Sequence, residues 1–152
     1  ALDDRLRHYD VVMATGIAAP DRNYAAAPVN DGGARKGIVC STDHVVQTSA
    51  EKRRLRSSGA IAVEMEAAGV AKRAEAAGIA FSCIRVVTDV AGESLENDFN
   101  AALRADGHFA TMRILRGALR QPMVRFPELF RLRNRCSRAA RILGDFIADC
   151  RF

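Results

Sequence analysis

Residues 59–92 read GAIAVEMEAAGVAKRAEAAGIAFSCIRVVTDVAG, and this stretch decides the fold. The apolar run 60–63 ends on Glu64, Met65 and Glu66; residues 67–77 are alanine-rich and helical in composition, and Gly78 stops them. Residues 79–87 form a second apolar run, broken by Ser82, Cys83 and Arg85, which delivers Thr88 and Asp89 at its carboxyl end. Strand, helix and strand in this order predict a βαβ unit with acids at both strand ends. Open α/β sheets hold ligands just beyond the carboxyl ends of parallel strands, so Glu64, Glu66 and Asp89 are expected to converge on one cleft. Three acids without a glycine-rich phosphate loop argue against a dinucleotide site.

Two motifs carry a resemblance. Ala62-Val63-Glu64-Met65-Glu66-Ala67-Ala68, followed about two dozen positions later by Arg85-Val86-Val87-Thr88-Asp89-Val90-Ala91, resembles the nucleoside phosphorylase and nucleosidase superfamily. Within it, the pair is most similar to the methylthioadenosine/S-adenosylhomocysteine nucleosidases. Hexameric purine nucleoside phosphorylases share the Val-Glu-Met-Glu core, and hopanoid-associated phosphorylases are similar at a greater distance. The resemblance implies an α/β, three-layer αβα domain of the nucleoside phosphorylase type (Rossmann-like). It implies cleavage of the N-glycosidic bond of purine nucleosides or 5′-modified adenosines by water or phosphate, without a metal or organic cofactor. It covers residues 1 to about 110, which correspond to the second half of a family domain. In the family a glycine-containing ligand loop and a run of strands and helices come before the position of Ala1, so the chain is expected to be N-terminally truncated.

Composition sets the outer bounds. At 152 residues and 49% hydrophobic, the chain is read as one soluble domain with a sizeable core. No apolar run reaches the length of about 18 residues that a membrane span needs, and the N-terminus lacks a basic-then-apolar signal pattern, so a cytoplasmic protein is expected. Cys40, Cys83, Cys136 and Cys150 show no paired short spacing of the metal-site kind and read as free thiols. The net charge of +5 is unevenly spread: residues 1–112 hold thirteen basic and fifteen acidic side chains, residues 113–152 ten arginines and three acids. The catalytic region is therefore mildly acidic and no nucleic acid partner is expected.

In chain order, residues 1–9 read as a polar, looped approach to a buried strand at 10–14. Residues 16–36, with Pro20, Pro28, Asn30-Asp31 and Gly32-Gly33, read as loop with weak strand content. Residues 37–41 form another short strand. Thr48-Ser49-Ala50-Glu51 fits a capping box, in which the threonine hydroxyl and the glutamate satisfy first-turn amides of a helix to about Ser57. Lys52, Arg53, Arg54 and Arg56 read as its solvated face. Residues 98–119 read as helical, interrupted at Asp106-Gly107 and ended by Pro122, with a further helix starting near Pro127 and Glu128 favourable at its N-terminus. Leu129, Leu132, Cys136, Ala139, Leu143, Phe146 and Cys150 make one apolar stripe, with Arg131, Arg135 and Arg138 off it. The division is thus a catalytic part at 1–120 and a basic amphipathic tail at 121–152.

Breaking a purine N-glycosidic bond builds positive charge on the sugar and negative charge on the base, so the base needs a proton. By the resemblance, Asp89 is the family aspartate that protonates or hydrogen-bonds purine N7, with Thr88 the small hydroxyl residue before it. Read as a residue, Asp89 could equally cap the following turn. The resemblance gives Glu66 the ribose hydroxyls, which a carboxylate can accept in pairs, and Met65 the apolar face of the ribose; the alternative for Met65 is core packing. Glu64 reads as a shaping residue or as a buried acid bonding backbone amides. Arg85 holds a site carboxylate or water, or compensates the charge of Glu64 or Glu66. Where the nucleosidases carry a phenylalanine stacked on adenine, this chain has Val45, preceded by His44, a loop residue; the smaller contact weakens an adenine preference. Phe99 corresponds to a position lining the 5′ side of the nucleoside, or is core.

The expected partners are a purine nucleoside, phosphate if the reaction is phosphorolytic, and a second copy of the chain in a homo-oligomer, dimer or larger. Two other readings stand beside the enzyme: a non-catalytic nucleoside-binding remnant, and a basic interaction module for anionic surfaces such as a membrane, the latter less favoured. The residues that cradle phosphate or activate water lie in the family's first half, so the 152-residue chain alone is expected to be inactive and, with a strand edge open, prone to self-association.

Overall fold

The apolar run that starts at Val11 lies at the centre of the sheet. In the computed structural model, which describes residues 1–29, 33–104 and 106–150, β1 (Val11–Ala18) pairs in parallel with β3 (Arg35–Ser41) along one edge. Its other edge is shared: β5 (Ile84–Val86) runs antiparallel beside Val11–Met13 and β2 (Asn23–Ala25) antiparallel beside Gly16–Ala18. β4 (Ala62–Glu64) lies parallel to β3 on its far side. Val12, Met13, Ala14 and Ile17 are at most 1% exposed, as a strand covered on both faces requires. The predicted strand at 10–14 is thus the first half of a longer one. A bulge between Ala14 and Gly16 shifts the register and the strand continues to Ala18. β2 and the start of β3 also come from the stretch read as loop, of which Asn30, Asp31 and Gly32 lie outside the described residues.

The expected parallel βαβ unit at 59–92 is not formed as such. α2 (Ala67–Ala76) follows β4 as predicted, but β5 runs against β1, β3 and β4 and lies across the β1–β3 pair from β4. The leading residues bridge the two separated strands. Leu2 and Asp3 donate their amides to Ile61 O (2.8 and 3.1 Å), Tyr9 donates to Val87 O (2.8 Å), and Val87 donates to Asp10 O (3.0 Å). This is why Ala1, Leu2, Asp3 and Leu6 are buried although the stretch reads as polar. Asp3 takes the guanidinium groups of Arg5 (2.8 Å) and Arg56 (3.0 Å), and hydrogen bonds from the Arg5 side chain and amide hold its carboxyl at about 2.

One glycine is needed for packing. A Cβ on Gly37 would stand 2.6 Å from Cδ1, 2.8 Å from Cγ1 and 3.0 Å from Cγ2 of Ile61, so relief requires the whole β-branched side chain to move. Gly37→Ala is expected to cost about 1–3 kcal/mol, as overpacking does; chemical denaturation checks this, and an unchanged midpoint would show that Ile61 has room to rotate.

The C-terminal region differs most from expectation. Residues 98–119 are not one interrupted helix: a 3-10 turn, Asn100–Ala102, is followed by a bridge between Leu103 and Phe109 and then by α3 (Thr111–Ala118). Pro122 does not end a helix but opens α4 (Pro122–Asp149), where its missing N–H is no loss, and Pro127 falls inside this 28-residue helix. The apolar stripe from Leu129 to Phe146 faces inward except for Cys136, which is exposed. Glu128 does not serve the helix dipole from the surface. It is 2% exposed and accepts from the amides of Glu96 and Asn97 (both 2.8 Å) and from Asn97 Nδ2 (2.6 Å). Arg135 is likewise not solvated: its Nη1 meets both oxygens of Glu93 (2.6 and 2.8 Å), and Arg138 lies 4.4 Å over the ring of Tyr9. No helix among the described residues is long and apolar enough to cross a membrane.

Candidate active site

Glu64 ends β4 at the point where α2 begins. Its Oε2 accepts from the amides of Glu66 (2.9 Å) and Ala67 (2.7 Å), so the carboxylate caps the helix whose own N-cap residue, Glu66, makes no side-chain cap. Ser41 at the end of β3 assists, accepting from the amide of Ala68 (3.2 Å). Burial opposes the charge on Glu64, but these amides, Ser41 and the Arg85 guanidinium outweigh it and hold the carboxyl below the usual range. Its Oε1 is buried with no hydrogen-bond partner among the described residues.

Arg85, central in β5, reaches across to this cap. Its Nη2 bonds Glu64 Oε2 and also meets Glu66 Oε2 at 2.9 Å. The Glu66 side chain is 68% exposed, so its carboxylate is anchored on one side and open on the other.

Asp89 is held from a different element. Lys52 of α1 (Ser49–Arg56) has no exposed surface, and its Nζ donates to Asp89 Oδ2, to Val90 O (3.0 Å) and to Glu93 O (2.9 Å). All three donor hydrogens of the ammonium are thereby used. Asp89 Oδ1 takes the Thr88 hydroxyl (3.3 Å), and Asp89 O takes the Ala1 ammonium (2.5 Å). Burial again opposes ionisation, but the Ala1 ammonium and Lys52 prevail, and the carboxyl lies below its usual range. Lys52 therefore contradicts the reading of 52–56 as a solvated face. Arg53 and Arg54 are exposed, while Arg56 is tied to Asp3.

The predicted residues separate into two groups. Glu64, Arg85, Thr88 and Asp89 line one cavity of about 160 Å³ together with Ala1 and Val12, and Glu66 joins them through Arg85. Met65 points elsewhere, into a wider recess of about 450 Å³ with His44, Asn100 and Arg104. Val45 and Phe99 line neither space. Val45 exchanges two 2.8 Å hydrogen bonds with the Asn100 side chain, and the Phe99 ring meets Phe109 edge-on at 6.2 Å.

His44 bridges the recess to α1. Thr48 caps that helix as expected, accepting from Glu51 N (3.2 Å), but the Glu51 carboxylate turns to His44 Nε2 (2.7 Å) while Asp43 meets Nδ1 (2.8 Å). These hydrogen bonds to Asp43 and Glu51 raise the His44 pKa above the ordinary imidazole value. Because the folded value is the higher one, the stabilisation is complete below the unfolded value and lost as pH rises through the folded value. The thermal midpoint of the parent should exceed that of His44→Gln most at mildly acidic pH, and the gap should shrink as pH rises through the folded value, by a modest amount since the ring is partly exposed. A gap that did not change with pH would mean that the ring acts through packing alone.

The mixed sheet and its flanking helices make this an α/β domain, with Glu64, Asp89 and the bridging Arg85 at one cleft. The chain belongs to the phosphorylase superfamily, whose sequence profile matches residues 2–116. Comparison with curated proteins returns no match. Among solved structures, it is similar to a Weissella paramesenteroides protein assigned as a methylthioadenosine nucleosidase (22% identity, TM-score 0.54, covering 60% of this chain and 54% of that one). It is also similar to the 5′-methylthioadenosine/S-adenosyl homocysteine nucleosidases of Helicobacter pylori (22% identity, TM-score 0.53, 61% and 53% covered) and Campylobacter jejuni (21%, 0.53, 90% and 64%). The chain thus spans roughly half to two-thirds of the length of these relatives.

Proposed function

We propose that the chain carries the base- and ribose-binding half of a site that cleaves the N-glycosidic bond of purine nucleosides or 5′-modified adenosines. The observation that supports this most is the meeting of the two acidic motifs: Glu64 with Arg85, Thr88 and Asp89 around one cavity, and Glu66 drawn to it by Arg85. In this reading Asp89 faces N7 of the purine. Lys52 keeps it ionised, so its carboxylate accepts the hydrogen bond of the N7–H that forms as N7 takes a proton from water while the bond to the sugar breaks. Glu66 accepts from the ribose hydroxyls on its open side and stabilises the positive charge that grows on the sugar. Arg85 and Glu64 are positioning residues: the first fixes Glu66, the second fixes Arg85 and the start of α2.

The cavity volume agrees with half a site. At about 160 Å³ it is below the range from about 300 Å³ upward typical of complete small-molecule pockets. The attacking water or phosphate needs positioning groups from outside these residues, and positioning carries much of the rate. Adenine release from 5′-methylthioadenosine, with and without phosphate, tests the proposal. The 152-residue chain should release adenine at background rate, and the chain extended upstream to the length of its relatives should turn over. A requirement for phosphate would select phosphorolysis over hydrolysis. No release from any purine nucleoside by the extended chain would end the proposal.

A further inference from the structure

α3 and the first turns of α4 carry an arrangement that the nucleoside cleft does not use. On α3, Met112, Leu115 and Leu119 recur at steps of three and four, which places them on one face, and all three are exposed, Leu119 to 67%. Arg113, Arg116 and Arg120 repeat the same steps one position on and form a second exposed stripe along its flank. Past the corner at Gln121 the pattern resumes, with Met123 88% and Phe130 63% exposed two helical turns apart. The first third of α4 is thereby apolar on two sides. Leu129 and Leu132 turn inward, and Met123 and Phe130 turn to solvent.

A second observation is independent of the first. Between the 3-10 turn, α3 and α4 lies a cavity of about 260 Å³ whose wall holds Arg113, Arg116, Arg120 and Arg125, with Asp98 its sole acid. Arg125 Nη1 bonds Gly117 O (2.9 Å), while its Nε is buried with no partner among the described residues. The surrounding segment gives no compensation. The only acid between Gly107 and Gly144 is Glu128, and backbone amides of Glu96 and Asn97 occupy both of its oxygens.

We propose that the α3–α4 corner is a docking surface for an anionic phospholipid bilayer. The arginine-lined cavity takes headgroup phosphates, and Met112, Leu115, Leu119 and Met123 enter the boundary of the acyl chains, so that α3 lies in the interface plane. The two features together select this partner. The phosphates of a nucleic acid would satisfy the arginines and leave the apolar face in water, whereas a bilayer covers both. None of the cleft residues takes part, so the inference stands apart from the nucleoside reading.

Vesicle flotation of the 152-residue chain tests it, because protein that merely aggregates does not float. The chain should rise with vesicles of phosphatidylcholine containing about one-third phosphatidylglycerol and not with phosphatidylcholine alone, and salt of about 0.5 M should weaken the binding. Arg116→Gln with Arg120→Gln should lower the partition coefficient by about 25-fold, some fivefold for each charge. Leu119→Ser, at an exposed position where circular dichroism should find the fold unchanged, should lower it about tenfold. Equal flotation with neutral vesicles, flotation with neither, or full binding by both variants would overturn the proposal. So would oligonucleotide binding that depends on the arginines and ignores Leu119→Ser while no vesicle is bound, which would give the surface to nucleic acid.

Discussion

Asp89→Asn is expected to lower turnover of the upstream-extended chain by about 10²- to 10⁴-fold, the usual worth of a side chain that assists a proton transfer in the transition state. The amide keeps the size of the carboxylate and can still accept from Lys52, which also retains Val90 O and Glu93 O. The protein should therefore fold, with a loss of stability smaller than the kinetic one. What disappears is the negative charge facing the base, so kcat and kcat/KM should fall together. Steady-state kinetics on 5′-methylthioadenosine checks this. A variant within about threefold of the parent would remove Asp89 from the chemistry.

Lys52→Met should have the largest effect on stability, about 3–5 kcal/mol, because removing one partner of a buried ion pair leaves the other uncompensated. The side chain has no exposed surface, and methionine can fill most of its volume, so the cost comes from three acceptors that lose their Lys52 donor: Asp89 Oδ2 and the carbonyls of Val90 and Glu93. Neutralising the second partner should recover part of the loss. Lys52→Met combined with Asp89→Asn is expected to be less destabilised than the sum of the two single changes, by an amount that urea denaturation of all four proteins measures. Additive losses would mean that the two groups do not interact.

The two acidic motifs were legible because each packs its chemistry into neighbouring residues: Glu64 to Glu66 at the end of a short apolar run, and Thr88-Asp89 at the end of another. Their convergence was also foreseen, but for a reason that does not hold. The expected parallel strands are antiparallel and separated by β1 and β3, and what joins their ends is the buried stretch 1–10, whose polar composition hid it. Charged residues in buried positions were the main source of error. In α1, Ser49, Lys52, Leu55 and Arg56 share one face by spacing, and the structure buries that face around Lys52. The periodicity was present, but residue type pointed to solvent. Glu128 and Arg135 misled in the same way, each being held by a partner about 30 to 40 positions away that no local pattern could announce. The capping box at Thr48 was half right. The threonine does what its position demands, but the glutamate found a better partner in His44, a contact set by the loop rather than by the helix.

Proline was the other source of error. Pro122 and Pro127 both suggest helix boundaries, and the same residue type can stop a helix or start one. Here Pro122 takes the first position of α4, whereas Pro127 is interior and removes the one backbone N–H that would bond Met123 O. Inward packing of Leu129 and Leu132, with the Glu128–Asn97 anchor beside it, holds the helix through that defect.

The most direct test of the account is calorimetric binding of adenine and of 5′-methylthioadenosine to the 152-residue chain and to its Asp89→Asn and Glu66→Gln variants. If Asp89 faces the base and Glu66 the ribose, Asp89→Asn should weaken both ligands about tenfold or more, as loss of a hydrogen bond to a charged group does. Glu66→Gln should weaken the nucleoside by a similar factor and leave adenine unchanged. Equal effects of Glu66→Gln on the two ligands, or parent-like binding by Asp89→Asn, would contradict the assignment of base and sugar to these two carboxylates.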